Sequence, residues 1–397
     1  MKKSSSLLPD IHRLQTVDLA RAEEMALDWL NNEVGFKADS VSLNPQPTSL
    51  NSINGIATTN QERFFFKSHT EDNTEISEYY NADLLADAGY NTVKPLFREK
   101  EIGKQVAIYP VINWPVMFDV MGEIEQGTAP KMGDLVLEVE KRECKRLLEI
   151  YEKTAKQSNA GQNAGAPVHQ LFWHRLKGGR FDQFYKDSSI AIPDGQTIST
   201  YEIFSYSWTI NGVVQPRTLS ELITEATSVL EPNQEALTVI GHGDAHFGNV
   251  FLEDSKKYLY FDPAFAGRHS PLLDVTKPLF HNVFAQWMYF PHEQSAEITI
   301  EIGNKNIAVD YSNAFAPIRQ SLLEIKQREL LDPLQRWLKR KGSFTNRRPL
   351  ELALMCCPLL TKNLCDSQRF PPEISWLGFA LSLQMGNWDE EQDFAFV

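Results

Sequence analysis

Apolar and small residues recur at helical spacing across residues 17–31, which predicts an amphipathic helix with Thr16 as its N-cap. Short runs rich in β-branched and aromatic residues follow at 41–44, 53–58 and 63–67, the last holding Phe64, Phe65 and Phe66, and these read as strands. Thr59, Asn60, Gln61 and Glu62 make a hairpin turn between the last two. Residues 73–88 return to helical spacing and stop at Gly89, which suits the left-handed position that ends a helix. Residues 106–109 give one more strand, closed by Pro110. After its opening helix, the first third therefore reads strand, strand, strand, helix, strand.

Past Trp114 the texture becomes helical. Residues 133–157 form a long charged helix, and 158–165, rich in Gly, Asn and Ala, read as a flexible connector. Strands at 203–209 and 213–215 flank Asn211-Gly212, the strongest short hairpin signal in the chain. A helix at 219–230, a second hairpin at 298–302 and 307–309, a helical stretch at 315–341 broken at Pro333, and a helix near Leu350 complete the pattern. Strands gathered ahead of helices indicate an α+β chain. It divides into a small β-rich part, residues 1–111, and a larger helical part, residues 112–397, with a cleft between them.

Composition narrows the function. In 397 residues, 39 Lys and Arg stand against 52 Asp and Glu, a net charge of −13 that excludes a sequence-independent grip on nucleic acid and an anionic membrane surface. It mildly favours cationic ligands. The 42% hydrophobic content supports a large core and argues against disorder. Four cysteines make no disulfide framework and lack zinc-ligand spacing, and adjacent Cys356 and Cys357 read as core filler. The basic start at Lys2 and Lys3 leads only to Leu7-Leu8 before Pro9, so no secretory signal is expected. No apolar run reaches spanning length. The expected location is cytoplasmic.

The informative stretch is Gly241-His242-Gly243-Asp244-Ala245-His246-Phe247-Gly248-Asn249, followed after a short turn by Tyr258-Leu259-Tyr260-Phe261-Asp262-Pro263. Apolar segments on either side of residues 253–257 predict a hairpin. A turn centred between Ser255 and Lys256 sets Asn249 directly opposite Asp262, with Cβ atoms about 5 Å apart. An amide oxygen and a carboxylate at that spacing suit a hard cation such as Mg²⁺. Asp244, upstream in a glycine-flanked loop, faces the same place. Phosphoryl transfer needs such a set: metal ions neutralise the phosphates while a separate carboxylate orients the attacking hydroxyl and takes its proton.

The run His242-Gly243-Asp244-x-x-x-x-Asn249 resembles the catalytic loop of the aminoglycoside phosphotransferase family, which includes choline, ethanolamine and fructosamine kinases. The resemblance implies a bilobal protein-kinase-like fold, with residues 1–111 as the nucleotide-binding N-lobe and 112–397 as the C-lobe. It implies an ATP- and Mg²⁺-dependent kinase acting on a hydroxyl of an amino sugar, glycated amine or similar small alcohol. Asp244 then matches the catalytic base, Asn249 and Asp262 the metal ligands, and Asp274 the family's downstream structural aspartate. Only a short stretch separates Asp262 from Asp274, which argues against a long activation segment and a protein substrate.

A kinase-like N-lobe also needs a strand lysine for the α- and β-phosphates, a helix glutamate to hold it, and a hinge for adenine. By that likeness Lys67 is the lysine and Glu78 its partner, with Glu75 as fallback. Tyr109 C=O and Val111 N–H take the adenine, and Pro110, which has no N–H, falls where no donor is required. The phosphate-covering loop is residues 47–52, with Ser49 and Asn51 as its contacts. Residues 52–57 look most like the fructosamine-kinase branch, although the loop lacks a glycine-rich pattern, its only nearby glycine being Gly55.

Other readings attach to the same residues. His242, Asp244 and His246 alternate and share a face of an extended segment, a pattern that binds zinc in hydrolases. That reading leaves Asn249, Asp262, Lys67 and Glu78 unused. A nucleotide-binding scaffold without turnover is the other alternative. The aromatic and basic run from Phe172 to Arg180 reads as core packing with surface charge, or as an anchor for an anionic substrate group. The acidic tail Trp388-Asp389-Glu390-Glu391 with Asp393 reads as a solvated end, or as a wall that attracts a cation, the Trp388 indole adding a cation–π contact.

Overall fold

The computed structural model of the chain describes residues 7–44, 52–69, 78–101, 103–192, 195–292, 297–312, 316–343 and 346–388. Its contacts separate two compact units, residues 1–87 with 91–114, and residues 88–90 with 115–397.

The first unit is built on a five-stranded sheet, β1 (Ser40–Leu43), β2 (Ser52–Thr59), β3 (Glu62–His69), β4 (Phe97–Glu99) and β5 (Val106–Pro110), in the order β1-β2-β3-β5-β4. Every pairing is antiparallel. Asn60 and Gln61, at φ 48° and 70°, form the tight turn between β2 and β3, a conformation that matches the right-handed twist of the strands. Alternation then divides the side chains. Ile53, Ala57, Phe66 and Ile108 enter a core with Trp29, Leu30 and Ala26 from the preceding helices. Phe65, Lys67 and Tyr109 fall on the opposite face. Gly55 sits between Phe66 and β1: a Cβ there would lie 2.6 Å from the Ser42 carbonyl and 2.8 Å from the Phe66 ring.

Those helices differ from the sequence reading. The chain opens with α1 (Leu8–Leu14), whose Pro9 occupies the first turn, where a missing N–H costs nothing. α2 (Leu19–Asp28) is capped by Asp18, which accepts from the Arg21 N–H, and not by Thr16, whose hydroxyl donates back to Arg13 O. A π-turn, Trp29–Val34, extends it to Gly35 at φ 83°. α3 spans Glu78–Ala88; the predicted start at residue 73 lies outside the described residues.

In the second unit the helix Met132–Thr154 leads into a three-stranded antiparallel sheet of Lys156–Ser158, Ala236–Gly241 and Gly267–His269. Residues 158–165 are therefore not a connector. Ser158 pairs with Ala236, and Asn159 and Gln162 form a reciprocal capping box for the helix Ala160–Ala164. The predicted strand at 203–209 is likewise replaced: Thr200–Ser205 is a helix capped by Ser199 and Glu202, and the strand begins at Ser207. The Asn211-Gly212 hairpin and the hairpin of Glu297–Ile302 with Asn306–Ser312 join in a four-stranded sheet. Helical structure continues from Pro317 to Arg340 through a π-turn before Pro333, and the helices Arg348–Thr361 and Pro372–Gly386 are almost wholly buried.

Buried ion pairs hold this unit. Glu140 accepts from Lys326 and from the Tyr258 hydroxyl, and Arg319 donates to Glu125. Among the described residues no helix is long and apolar enough to cross a membrane.

The Gly55 contact gives a direct test of the first unit's packing. Gly55→Ala should destabilise it by about 1–3 kcal/mol through overpacking, read as a lower urea midpoint with an unchanged slope.

Candidate active site

The loop 242–249 is shaped by a carboxylate beneath it. Asp274, 3% exposed, accepts on Oδ1 from the Gly243 N–H at 2.6 Å and from His269 Nε2 at 2.9 Å. Its Oδ2 accepts from the Tyr151 hydroxyl. Burial by itself raises the carboxyl's pKa, but the His269, Tyr151 and Gly243 contacts outweigh it and hold the group below the ordinary aspartate value. Two glycines make room for this. A Cβ at Gly241 would lie 2.4 Å from the Asp274 carboxylate, and one at Gly243, at φ 78°, would lie 2.4 Å from the Phe265 carbonyl.

The rest of the loop is pinned from within. His242 Nε2–H donates to the Phe261 carbonyl at 3.0 Å. The Gly248 N–H donates to His246 Nδ1 at 3.0 Å, so neutral His246 carries its proton on Nε2, 3.8 Å from Asp244 Oδ2. Burial lowers the His246 pKa against the opposing pull of Asp244. Asn249 Nδ2 donates to the Asp244 carbonyl at 2.9 Å, which leaves its amide oxygen free of that bond. The Phe247 N–H donates to Asn282 Oδ1 at 2.8 Å. Within this frame Asp244 Oδ1 is buried with no hydrogen-bond partner, an arrangement that suits a carboxylate awaiting a hydroxyl proton.

The hairpin register corrects one expectation. Val250 pairs with Tyr260 and Glu253 with Lys257, so Asn249 stands opposite Phe261, whose N–H donates to the Asn249 carbonyl at 3.0 Å. Asp262 is one residue further on. The reason is the turn, which takes three residues with Asp254 and Ser255 at φ 51° and 54°, and so centres on Ser255. In a continuing strand this slip would turn Asp262 to the other face. It does not continue as one: Asp262 adopts φ 53°, a left-handed conformation costing roughly 1–3 kcal/mol that concentrates at functional sites.

In the first unit, Asn54, Lys67 and Ala107 form one row across β2, β3 and β5, and Tyr109 lies opposite Phe65, with ring centroids 6.3 Å apart. β5 ends at Pro110, so Val111 lies just beyond the paired ladder. Glu78 opens α3, but its side chain is outside the described residues, as are Glu75, Ser49, Asn51 and the acidic tail. For the zinc alternative, His242 and His246 each commit a ring nitrogen to the backbone, and among the described residues no group of three or more His, Cys, Asp or Glu is placed to hold a metal.

Several positioning residues escaped the sequence reading: Tyr151, His269, Asn282, Lys277 and His281. A signal for the last three exists. They are polar residues in the helix Pro271–Leu279 and its π-turn Phe280–Phe284, all of whose positions are buried.

No family model matches the chain, and no curated protein matches it in sequence. Among the solved structures it matches are small-molecule phosphotransferases and kinases. One is the spectinomycin phosphotransferase APH(9)-Ia in complex with ADP and spectinomycin, at 14% identity and a TM-score of 0.41 over 91% of this chain and 98% of that one. A thermostable mutant of the aminoglycoside phosphotransferase APH(4)-Ia, in complex with AMP-PNP and hygromycin B, matches at 10% identity and a TM-score of 0.47 over 92% and 99%. The choline kinase LicA from Streptococcus pneumoniae matches at 11% identity and a TM-score of 0.41 over 94% and 93%.

Because the Asp274 pKa is depressed in the fold, its contribution to stability is full above the unfolded value near 4 and is lost as pH falls through the folded value. Asp274→Asn should cost about 3–5 kcal/mol at neutral pH and flatten the loss of stability below about pH 4, as read by urea unfolding between pH 3 and 7.

Proposed function

We propose that this chain is an ATP- and Mg²⁺-dependent kinase that transfers the γ-phosphoryl group to a hydroxyl of a small molecule. The observation that carries the reading is Asp244: a carboxylate oxygen buried without a partner, on a loop whose backbone is fixed by Asp274, Asn249 and Asn282.

In this reading the acceptor hydroxyl donates to Asp244. As its oxygen bonds to the γ-phosphorus, the bond to the leaving ADP oxygen breaks and the hydroxyl proton passes to the Asp244 carboxylate. The loop contributes by holding that carboxylate in place before the acceptor arrives. His246 Nε2 lies 3.8 Å from the Asp244 carboxylate. The Asn249 amide oxygen and the Asp262 carboxylate are hard oxygen donors and fit Mg²⁺ better than a softer metal. Bound there, the ion would neutralise phosphate charge.

Nucleotide contacts in this reading come from the first unit. Lys67 pairs with the α- and β-phosphates and Glu78 steadies it, while Tyr109 C=O and Val111 N–H take the adenine. Ser49 and Asn51 cover the phosphates.

The two aspartates should separate in a binding and turnover comparison. Asp244→Asn should keep Mg²⁺-dependent nucleotide affinity and lower kcat by about 10²–10⁴-fold. Asp262→Ala should weaken that affinity. Equal loss of nucleotide binding in both variants, measured by calorimetry, contradicts the assignment.

A further inference from the structure

The helix Pro271–Leu279 runs into a buried π-turn, Phe280–Phe284, and two successive residues of that turn reach the loop 242–249. Asn282 Oδ1 accepts the Phe247 N–H at 2.8 Å, and the His281 ring lies 5.1 Å from the His246 ring, centre to centre. Turns of this kind are rare inside helices and concentrate at functional sites.

His281 is held at both ring nitrogens. Lys277, 3% exposed and one helical turn earlier, places its Nζ 2.9 Å from Nε2, and the Tyr289 hydroxyl lies 2.7 Å from Nδ1. The two end groups differ in what they can do. An ammonium donates and accepts nothing, whereas a phenol does both. Lys277 therefore requires Nε2 to be the bare nitrogen. That puts the His281 proton on Nδ1 and makes the Tyr289 oxygen its acceptor. Lys277 Nζ also donates to the Thr361 hydroxyl at 3.2 Å, which ties the arrangement to the helix Arg348–Thr361. At the other end the Tyr289 ring meets Phe118 edge to face, with ring centres 5.0 Å apart.

His246 is confined as closely. Its Nδ1 accepts the Gly248 N–H at 3.0 Å, and a Cβ at Gly248 would lie 2.8 Å from its Cε1, so the ring rests on the backbone there. With Nδ1 an acceptor, Nε2 carries the proton, 3.8 Å from Asp244 Oδ2. We propose that Lys277 and His281 are positioning residues, a hydrogen-bond relay of fixed direction that sets the His246 ring against Asp244. What Asp244 then does rests on the kinase reading; the relay itself stands on these contacts.

Long-range proton–nitrogen NMR of the histidine-labelled full chain, at about pH 8 where the rings are neutral, reads which nitrogen of each ring is bare. The two rings are assigned by the signals lost in His281→Gln and in His246→Gln. His281 should be the Nδ1–H form and His246 the Nε2–H form. Tyr289→Phe, which keeps the aromatic ring, should leave the His281 form unchanged, because Lys277 dictates it. Lys277→Gln keeps a hydrogen-bonding group in place, but one that accepts as well as donates. His281 should then populate both forms and the His246 signals should shift. Transfer from Mg²⁺·ATP to glycerol, D-glycerate or 2-amino-1,3-propanediol should slow about 10- to 100-fold, with nucleotide affinity unchanged. A role in packing alone would leave the His281 form as it is in Lys277→Gln.

The Nε2–H form of His281 in the unaltered chain, a reversal of form in Tyr289→Phe, or His246 signals indifferent to Lys277→Gln overturns the proposal. Should Lys277→Gln fail to fold, the first two readings still decide it. A chain that shows the relay and phosphorylates none of the three alcohols keeps the relay and loses the kinase reading. One that phosphorylates an alcohol equally fast in Lys277→Gln keeps the kinase and loses Lys277 as a positioning residue.

Discussion

The Asp274 carboxylate is the point on which the candidate site depends. It is withdrawn from water and kept charged by three donors from different elements: Tyr151 on the long helix, Gly243 in the loop and His269 on a sheet strand. Leaving such a charge unpaired costs several kcal/mol, so loop, helix and strand are bound to one arrangement. Gly241 and Gly243 follow from it, because a side chain at either would occupy the space of the carboxylate or of the Phe265 carbonyl. Two buried side-chain atoms on that fixed loop are left without a hydrogen-bond partner, Asp244 Oδ1 and His242 Nδ1.

Much of the first unit was legible because its strands are runs of β-branched and aromatic residues bounded by turn signals. The Phe64-Phe65-Phe66 run, the Asn60-Gln61 turn and the Pro110 stop define β2, β3 and β5 within a residue or two. The errors have local causes. Pro9 reads as a break but opens α1, and Asp18 outcompetes Thr16 as a cap because its carboxylate reaches the Arg21 N–H. In the second unit, two capping boxes were missed, Asn159 with Gln162 inside the stretch read as connector and Ser199 with Glu202 just ahead of the stretch read as strand. Both are short helices whose start signal lies in the sequence but whose length gives no periodicity to detect.

The candidate site divides similarly. The loop residues were legible by type and spacing, but the Asn249–Asp262 pairing was not. A hairpin turn of two residues and one of three differ by a single step of register, and only the left-handed Asp254 and Ser255 decide between them. Register places Phe261 opposite Asn249, and the positive φ at Asp262 takes that residue out of the strand's alternation. Thr361, one partner of Lys277, and Tyr151, one partner of Asp274, were out of reach for another reason. These bonds join residues more than eighty positions apart in the case of Thr361 and more than a hundred in that of Tyr151, distances over which one sequence carries no pairing signal.

In the proposed reaction an alcohol oxygen, held at Asp244, receives the terminal phosphoryl group of ATP. Phosphorus NMR of the full chain with ATP, Mg²⁺ and a mixture of anionic, neutral and cationic alcohols follows that transfer directly. The account predicts a new phosphomonoester resonance that grows in step with ADP and is lost in Asp244→Asn. ADP accompanied only by inorganic phosphate, or a phosphomonoester formed equally well by Asp244→Asn, would contradict it.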